Sequence, residues 1–486
     1  MNTNENTNRA SYILNIQKIF LCAMAVYAVL IVSFYFLAGD QLHFRQSRGN
    51  LEMPTADTSA VELSGGAVIE QTFSANIQRL RTVSVQWGTY YRANSGTVTM
   101  ELYDTRSNTL LMRQEFDASQ IQEGQILSMS GQSPIESVYS APLCLRVYAD
   151  SLPGTSVTPL ISSAAQEKGW QLFVNGEAAD GTMCFSASGE DYIWTGLHYW
   201  EFSLCLGILL AIFFVLVLRK YRRSQHSYVV NALIAVQKYR FLIRQLVSRD
   251  FKTKYKRSVL GVFWSFLNPL LTMCVQYVVF STIFKSDIPY YPAYLLIGIV
   301  SFNFFSESCG MSLTSILGNA SLITKVYMPK YIYPLTRVMS SVVNLVISLI
   351  PFFLVSLATG VRFHKSAVLA LFFLICLVIF SLGLGMLLSA SMVFFRDTQF
   401  LWNVLSMIWM YATPIFYPES ILPENFRFVL KINPLYYFLS NTRLCLLSGV
   451  SPEPFAYMQC FAIALMMLLV GSLIFRKAQD RFALYL

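Results

Sequence analysis

The sequence predicts an α-helical polytopic membrane protein of about eight transmembrane helices, with a jelly-roll-like extracellular β-sandwich domain inserted after the first. Three observations carry this prediction. Hydrophobic residues make up 55% of the 486, charged residues 13%, and mean hydropathy is +0.48, which excludes an ordinary soluble protein. Uncharged runs long enough to cross a bilayer recur along the chain. Residues 40–201 break that pattern with 18 acids against 9 bases, although the whole chain carries +9. The remainder is therefore strongly basic beside apolar runs, the mark of a membrane surface and not of a nucleic-acid partner.

Residues 1–39 read as a cytoplasmic N-terminus and first span. Arg9 and Lys18 precede an uncharged run, 19–39. Its apolar core is longer than that of a secretory signal and no small-x-small cleavage site follows, so it reads as retained.

Residues 40–191 read as the outer domain. Apolar and polar residues alternate in Thr82-Val83-Ser84-Val85-Gln86-Trp87 and Thr97-Val98-Thr99-Met100-Glu101-Leu102, as in half-buried strands. Further runs at 68–73, 110–116, 143–148, 170–174 and 182–186, with turns between, suggest about eight strands in a sandwich. Cys144 and Cys184 are the two cysteines here, and the sequence leaves open whether they form a disulfide.

Residues 192–218 form the second span. Tyr192, Trp194, Tyr199 and Trp200 suit one interface, and Arg219, Lys220, Arg222 and Arg223 mark the inner one. Residues 219–257 then hold twelve Lys or Arg against a single acid, Asp250. Phe241, Leu242, Leu246, Val247, Phe251 and Tyr255 recur at helical spacing among these cations, which describes a basic amphipathic helix lying on the cytoplasmic membrane surface. Arg240, Arg244, Arg249 and Lys252 are its candidate lipid head-group contacts, since guanidinium grips a pyrophosphate bidentately. The plainer reading is a topology anchor against anionic lipid.

Residues 258–486 supply six more uncharged runs, at 258–284, 288–306, 338–361, 366–395, 398–418 and 454–475. With eight spans both termini lie inside. Lys325, Lys330, Arg337, Arg396, Arg476, Lys477 and Arg481 fall on the inner side, whereas Arg362, Lys365, Arg427, Lys431 and Arg443 run against the bias. The proline-bearing stretch 419–453 is too polar for a span and reads as re-entrant.

The chain has no phosphate-loop motif, no CxxC pair and no Cys/His grouping of metal-site spacing. No catalytic residue and no metal site is expected. Glu307 is a lone acid near a span, so no carboxylate pair of an ion-coupled carrier or envelope enzyme is present.

Three blocks remain: Arg249-Asp250-Phe251-Lys252 through Trp264 and Asn268-Pro269-Leu270; Gly318-Asn319, Leu322-Ile323, Lys325-Val326-Tyr327-Met328-Pro329; and Phe395-Arg396-Asp397 with Trp409, Pro414-Ile415, Tyr417 and Asn433-Pro434-Leu435. Together they make residues 235–486 resemble the polysaccharide-exporting permeases of the type-2 ABC transporter family, which move O-antigen, teichoic acid and capsule chains. The resemblance implies the permease of an ATP-driven exporter in a bacterial cytoplasmic membrane, moving a lipid-linked polysaccharide or teichoic-acid-like polymer. It implies a homodimer and a separate ABC ATPase subunit that holds ATP and Mg, with no cofactor in this chain. Gly318, Asn319, Leu322, Ile323, Lys325 and Tyr327 then become the ATPase-coupling segment, where the residues alone read as a loop with a basic flank. Tyr277, Tyr290, Tyr291, Tyr294, Phe302, Tyr411, Phe416, Tyr417, Tyr436 and Tyr437 become candidates for the translocation path, each also suited to packing or an interface belt. Rival readings are a drug or lipid exporter of the wider family and a membrane sensor or scaffold with an extracellular ligand-binding domain. The first 234 residues lie outside the resemblance. Trp87, Tyr90 and Tyr91, placed in a polar loop of the outer domain, are candidate glycan contacts there, against docking of an assembly protein, a spacer or a dimer contact.

Overall fold

The computed structural model describes residues 2–136, 138–163, 169–222, 228–256, 258–284, 288–325, 328–423, 425 and 427–485. Two compact units result, Met1–Leu42 with His198–Leu486, and His43–Leu197.

The helices in chain order are α1 (Asn2–Ala38), α2 (Trp194–Leu197), α3 (Tyr199–Arg222), α4 (Tyr228–Lys254), α5 (Phe263–Phe284), α6 (Tyr291–Leu313), α7 (Ala320–Lys325), α8 (Ile332–Ala358), α9 (Ala370–Phe394), α10 (Thr398–Ala412), α11 (Arg427–Ile432), α12 (Pro434–Leu447), α13 (Pro454–Gln479) and α14 (Phe482–Tyr485). Among the described residues, seven helical segments are long and apolar enough to cross a membrane: Gln17–Leu42, Tyr199–Lys220, Phe263–Ser281, Tyr291–Leu313, Ile332–Ala358, Lys365–Phe394 and Pro454–Gln479. The run at 398–418, expected as a further span, is helical only over the 15 residues of α10. Thr413 turns to extended backbone there, because Pro414 follows and disfavours helix in the residue before it.

α6 is the axis of the helical unit. Leu295, Leu296, Ile297 and Phe305 on it are wholly buried, and α8 and α9 pack against it. α9 and α13 approach closely where Gly383 meets Gly471; a Cβ on Gly471 would sit 1.9 Å from the Gly383 carbonyl oxygen. Small residues let apolar helices come together where no hydrophobic drive separates helix from lipid.

α1 and α3, which precede the region of resemblance, are held to each other and to this core. Phe20 stacks on Phe214 at 4.3 Å, Tyr27 Oη donates to the Ser203 carbonyl at 2.7 Å, and Tyr199 Oη donates to the Ile31 carbonyl at 2.8 Å. At its far end α1 sets Phe34 edge-on against Tyr457 of α13 at 4.8 Å, and the Gln41 side chain just past it accepts from the Ser451 amide. Ala38 and Leu42 lie in the same core as α6.

The other unit is largely β. Its strands are β1 (Phe44–Ser47), β2 (Thr58–Ser59), β3 (Val68–Ser74), β4 (Arg79–Gly88), β5 (Thr97–Asp104), β6 (Thr109–Asp117), β7 (Ile126–Glu136), β8 (Pro142–Asp150), β9 (Thr158–Ser162), β10 (Gln171–Val174), β11 (Glu177–Ala179), β12 (Thr182–Met183) and β13 (Phe185–Tyr192). One sheet has six strands in the order β11-β10-β3-β8-β5-β6; the other has seven, with β1-β13-β4-β9-β12 as its path, β7 beside β4 and β2 beside β9. Pairing between these strands is antiparallel, and both sheets contribute to one apolar core. Buried Gln71 of β3 ties them together, accepting from the Met183 amide of β12 at 3.0 Å and donating to the Gln171 carbonyl at 3.1 Å.

One expectation changes here, and one open question closes. Trp87 is not a loop residue: the inward alternation Val83, Val85, Trp87 carries it wholly into the core. Cys144 in β8 and Cys184 between β12 and β13 are free thiols, and burial pushes both up to about 11.

Gly471→Ala meets backbone that no rotamer change can clear, so it is expected to destabilise the helical unit by about 1–3 kcal/mol. Gly318→Ala, with open space around it, is expected to shift stability by less than about 0.5 kcal/mol. Thermal unfolding of the full chain in detergent distinguishes the two.

Candidate functional site

Polar residues are rare in apolar helices and face cavities or partners when they occur. Here they recur at three- and four-residue spacing: Ser341, Asn344 and Ser348 on α8, Asn303, Ser306 and Glu307 on α6, Asn403 and Ser406 on α10, Ser265 and Asn268 on α5. The four faces line an open cavity of 760 Å³. Trp264, Trp402 and Phe302 add aromatic surface, and Lys254 and Tyr255 close one end. The Ser306 and Ser406 hydroxyls, hydrogen-bonded at 3.0 Å, join α6 to α10 in its wall. Asn344 is pinned, donating to Glu307 Oε1 at 2.7 Å and accepting from Tyr255 Oη at 3.0 Å. Carboxamides, hydroxyls and ring faces are groups that grip hydroxylated, C–H-faced molecules without fixed charge.

Beyond Lys254 and Glu307 a second cavity, of 710 Å³, is lined by Arg249, Asp250, Asn319 and Arg337. Asp250 is its fixed point, with a side chain only 4% exposed, held by Arg249 at 3.0 Å and Arg337 at 3.1 Å. A buried carboxylate is stable only when compensated in this way. Arg249 Nη2 also donates to Asn319 Oδ1 at 3.3 Å, and Asn319 Nδ2 donates to the Ser315 carbonyl at 2.8 Å. Leu246 of α4 packs with Ile316, Ile332, Tyr333 and Phe475, and Ile323 joins them. The apolar face of α4 is thus laid against protein along the segment that carries α7.

A third arrangement satisfies broken backbone. After α10 the carbonyls of residue 412 and residues 414–417 lack helical partners, and side chains supply them. Asn433 donates to Ala412 at 3.2 Å; Arg443 donates to Pro414 at 2.6 Å and Ile415 at 2.9 Å; Tyr291 donates to Phe416 at 2.7 Å; Tyr294 donates to Tyr417 at 3.0 Å. Arg443 is buried over the Tyr294 ring, its guanidinium carbon 3.4 Å from the centroid. Gly298 makes room, since a Cβ there would lie 2.6 Å from Arg443 Nη2.

Of the path candidates, Phe302 lines the first cavity. Tyr291, Tyr294 and Phe416 belong to the packed knot around Arg443. Tyr277 packs on Tyr291 with ring centres 5.9 Å apart, and Tyr290 begins α6 in the left-handed region. Tyr417 donates to the Tyr411 carbonyl, Tyr436 to Glu419 and Tyr437 to the Lys431 carbonyl. Arg240, Arg244 and Lys252 are exposed on α4 and make no ion pair among the described residues, whereas Arg249 is engaged with Asp250. Gly318 and Asn319 form a 3₁₀ turn before α7; Leu322 is exposed and Ile323 half-buried. Tyr327 and the Lys325 side chain lie outside the described residues. Tyr90 and Tyr91 both take left-handed backbone, φ 55° and 53°, with Tyr91 fully exposed and Tyr90 carrying Arg92 over its ring at 4.9 Å. The amide- and serine-bearing helix faces escaped the sequence reading, although their three- and four-residue spacing is a signal that finds them.

Residues 242–447 match the family model described as ABC-2 type transporter. Over 247 residues the chain is 31% identical to an O-antigen export system permease protein of Myxococcus xanthus, covering 50% of this chain and 95% of that protein. An O-antigen export system permease protein of Klebsiella pneumoniae is 30% identical over 243 residues, with 50% and 93% covered. A polysialic acid transport protein of Escherichia coli is 22% identical over 241 residues, with 49% and 93% covered. The aligned part is about half of this chain.

Arg443→Met strands buried carbonyls and is expected to cost about 3 kcal/mol or more. Arg443→Lys rescues little, because one ammonium cannot reproduce a planar fork. Unfolding in detergent, with protease cutting after residue 412 as a local readout, measures both.

Proposed function

This chain belongs to the ABC-2 type transporter family, and from that premise we propose that it is the membrane permease of an ATP-driven polysaccharide exporter. Members of the family are transport subunits and not enzymes, so the work is conformational. The carrying observation is the 760 Å³ cavity walled by carboxamides, hydroxyls and aromatic rings. Such walls hold a sugar by many weak contacts and release it as readily.

ATP and Mg belong to a separate ABC ATPase subunit, docked under residues 318–330, with exposed Leu322 as an apolar contact and Ile323 anchoring the segment to α4. The cargo is a lipid-linked polysaccharide or teichoic-acid-like polymer, and two copies of the chain complete the path. Arg240, Arg244 and Lys252, exposed on α4, meet lipid phosphate. Residues 398–418 serve as the eighth crossing: α10 spans about 22 Å as helix, and the side-chain-satisfied backbone after it continues through the apolar layer. This crossing keeps both termini on the cytoplasmic side of a bacterial cytoplasmic membrane and the β unit outside, as an extracellular sandwich. There Tyr90 and Tyr91 offer the emerging glycan a ring surface; non-glycine residues in left-handed backbone cost about 1–3 kcal/mol each and cluster at functional loops.

In cells that rely on this chain, the triple variant Asn303→Leu, Ser306→Leu, Ser406→Leu is expected to abolish surface polymer while membrane level and ATPase co-purification persist. Normal polymer would reject the cavity as path. Leu322→Asp is expected to lose the ATPase on purification; an intact complex would reject the docking segment.

A further inference from the structure

The two cavities share two lining side chains of opposite charge, Lys254 and Glu307. Lys254 Nζ lies 2.8 Å from Glu307 Oε2, with the side chains 39% and 27% exposed. We propose that this ion pair is the closing bolt between the cavities, an inner gate worked by α4. The proposal rests on the permease reading and adds the residues that admit the cargo.

The two halves of the bolt stand on different helices, α6 and α4. Glu307 stands on α6, and its second oxygen accepts from Asn344 of α8 at 2.7 Å, so the carboxylate stays with the helical core. Lys254 is the last residue of α4 and lies four residues, one helical turn, beyond Asp250. The turn that carries Lys254 is therefore the turn held by Arg249 to Asn319 and by Asp250 to Arg337. Asn319 immediately precedes α7. A push on α7 reaches Lys254 through Arg249 and a single turn of helix, while Glu307 stays in place. Separation of the pair joins the two cavities into one polar passage beside Tyr255 and Asn344. A half-exposed ion pair suits a gate, because water replaces each partner at modest cost when it opens.

The closed pair also screens the first cavity. The Glu307 charge is met at the boundary by Lys254, so the amide-lined wall beyond presents no net charge to a neutral sugar. An anionic group arriving in the second cavity meets Lys254, Arg249 and Arg337 and competes with Glu307 for the first of them.

The test reads access, not transport. Asn303→Cys places a thiol in the first cavity, and the full chain in inverted vesicles is exposed to a charged methanethiosulfonate, with the parent chain giving the background of its nine natural cysteines. Lys254→Glu and Glu307→Lys, each alone, are expected to speed labelling about tenfold, equivalent to about 1.4 kcal/mol of lost closure. The exchange Lys254→Glu with Glu307→Lys is expected to return labelling to the parent rate, which a merely misfolded protein does not do. Single variants that label like the parent, or an exchange that labels like the singles, overturn the gate. Labelling needs neither polymer nor ATPase, so failure of the export reading shows separately, as unchanged surface polymer in the cavity variant.

Discussion

Backbone carbonyls without helical partners, in the midst of apolar side chains, are the constraint on which the helical unit turns. Each costs several kcal/mol if left bare in hydrocarbon, and residues 412–417 present several in succession. The chain answers with a set of long donors from other helices: Arg443 and Asn433 around α12, Tyr291 and Tyr294 from α6. Because the donors are distant in sequence, α6, α10 and α12 cannot separate without exposing that backbone. A charge that opposes the topology bias is explained at the same time. Arg443 counts as a positive-outside violation only if it meets water; buried against three carbonyls and a ring, it carries no topological signal.

At the other end of the same helices the organising group is an anion. Asp250 is the one acid of the basic 219–257 stretch and also one of its few buried residues. A surface helix gains nothing from burying a carboxylate unless the arginines that neutralise it come from places worth joining. Arg249 is on the same helix and reaches Asn319; Arg337 is on α8. The anion thus converts an amphipathic helix, which alone would only float on lipid, into one registered against the turn that precedes α7 and against the core.

Legibility in the sequence followed the strength of the periodic signal. The strands at 68–74 and 142–150 were plain, because strict alternation matches one buried face; β5 alternates in sequence too, although residues 98–102 are all buried. β7 was not, since Gly131 and Pro134 interrupt Ile126–Glu136 and serines occupy much of it. Trp87 was grouped with Tyr90 and Tyr91 as an aromatic of a polar loop, while its place after Val83 and Val85 put it inside. The aromatic path candidates were chosen by residue type, and four of them, Tyr291, Tyr294, Tyr417 and Tyr437, are consumed in satisfying backbone. The wall of the cavity is made instead of asparagine and serine, which a hydropathy reading averages away because one polar residue per turn barely lowers the mean. No local pattern announces that four such faces converge; that is a property of helix packing.

On the proposed reading of the cavity as the path, the absence of fixed charge on that wall follows from what a path for a long polymer must do. A charge-assisted hydrogen bond is worth about 1.5–3 kcal/mol, a neutral one about 0.5–1.5. Summed over successive sugars, the stronger kind would trap the chain, whereas the weaker kind lets one contact form as its neighbour breaks. Among the residues lining the 760 Å³ cavity, the charged ones are Lys254 and Glu307, paired with each other at its boundary. The wall behind them is left to amides, hydroxyls and rings, so the cavity has one place that can distinguish an anion and a long surface that cannot. On that reading, recognition and passage fall to different residues of the same site.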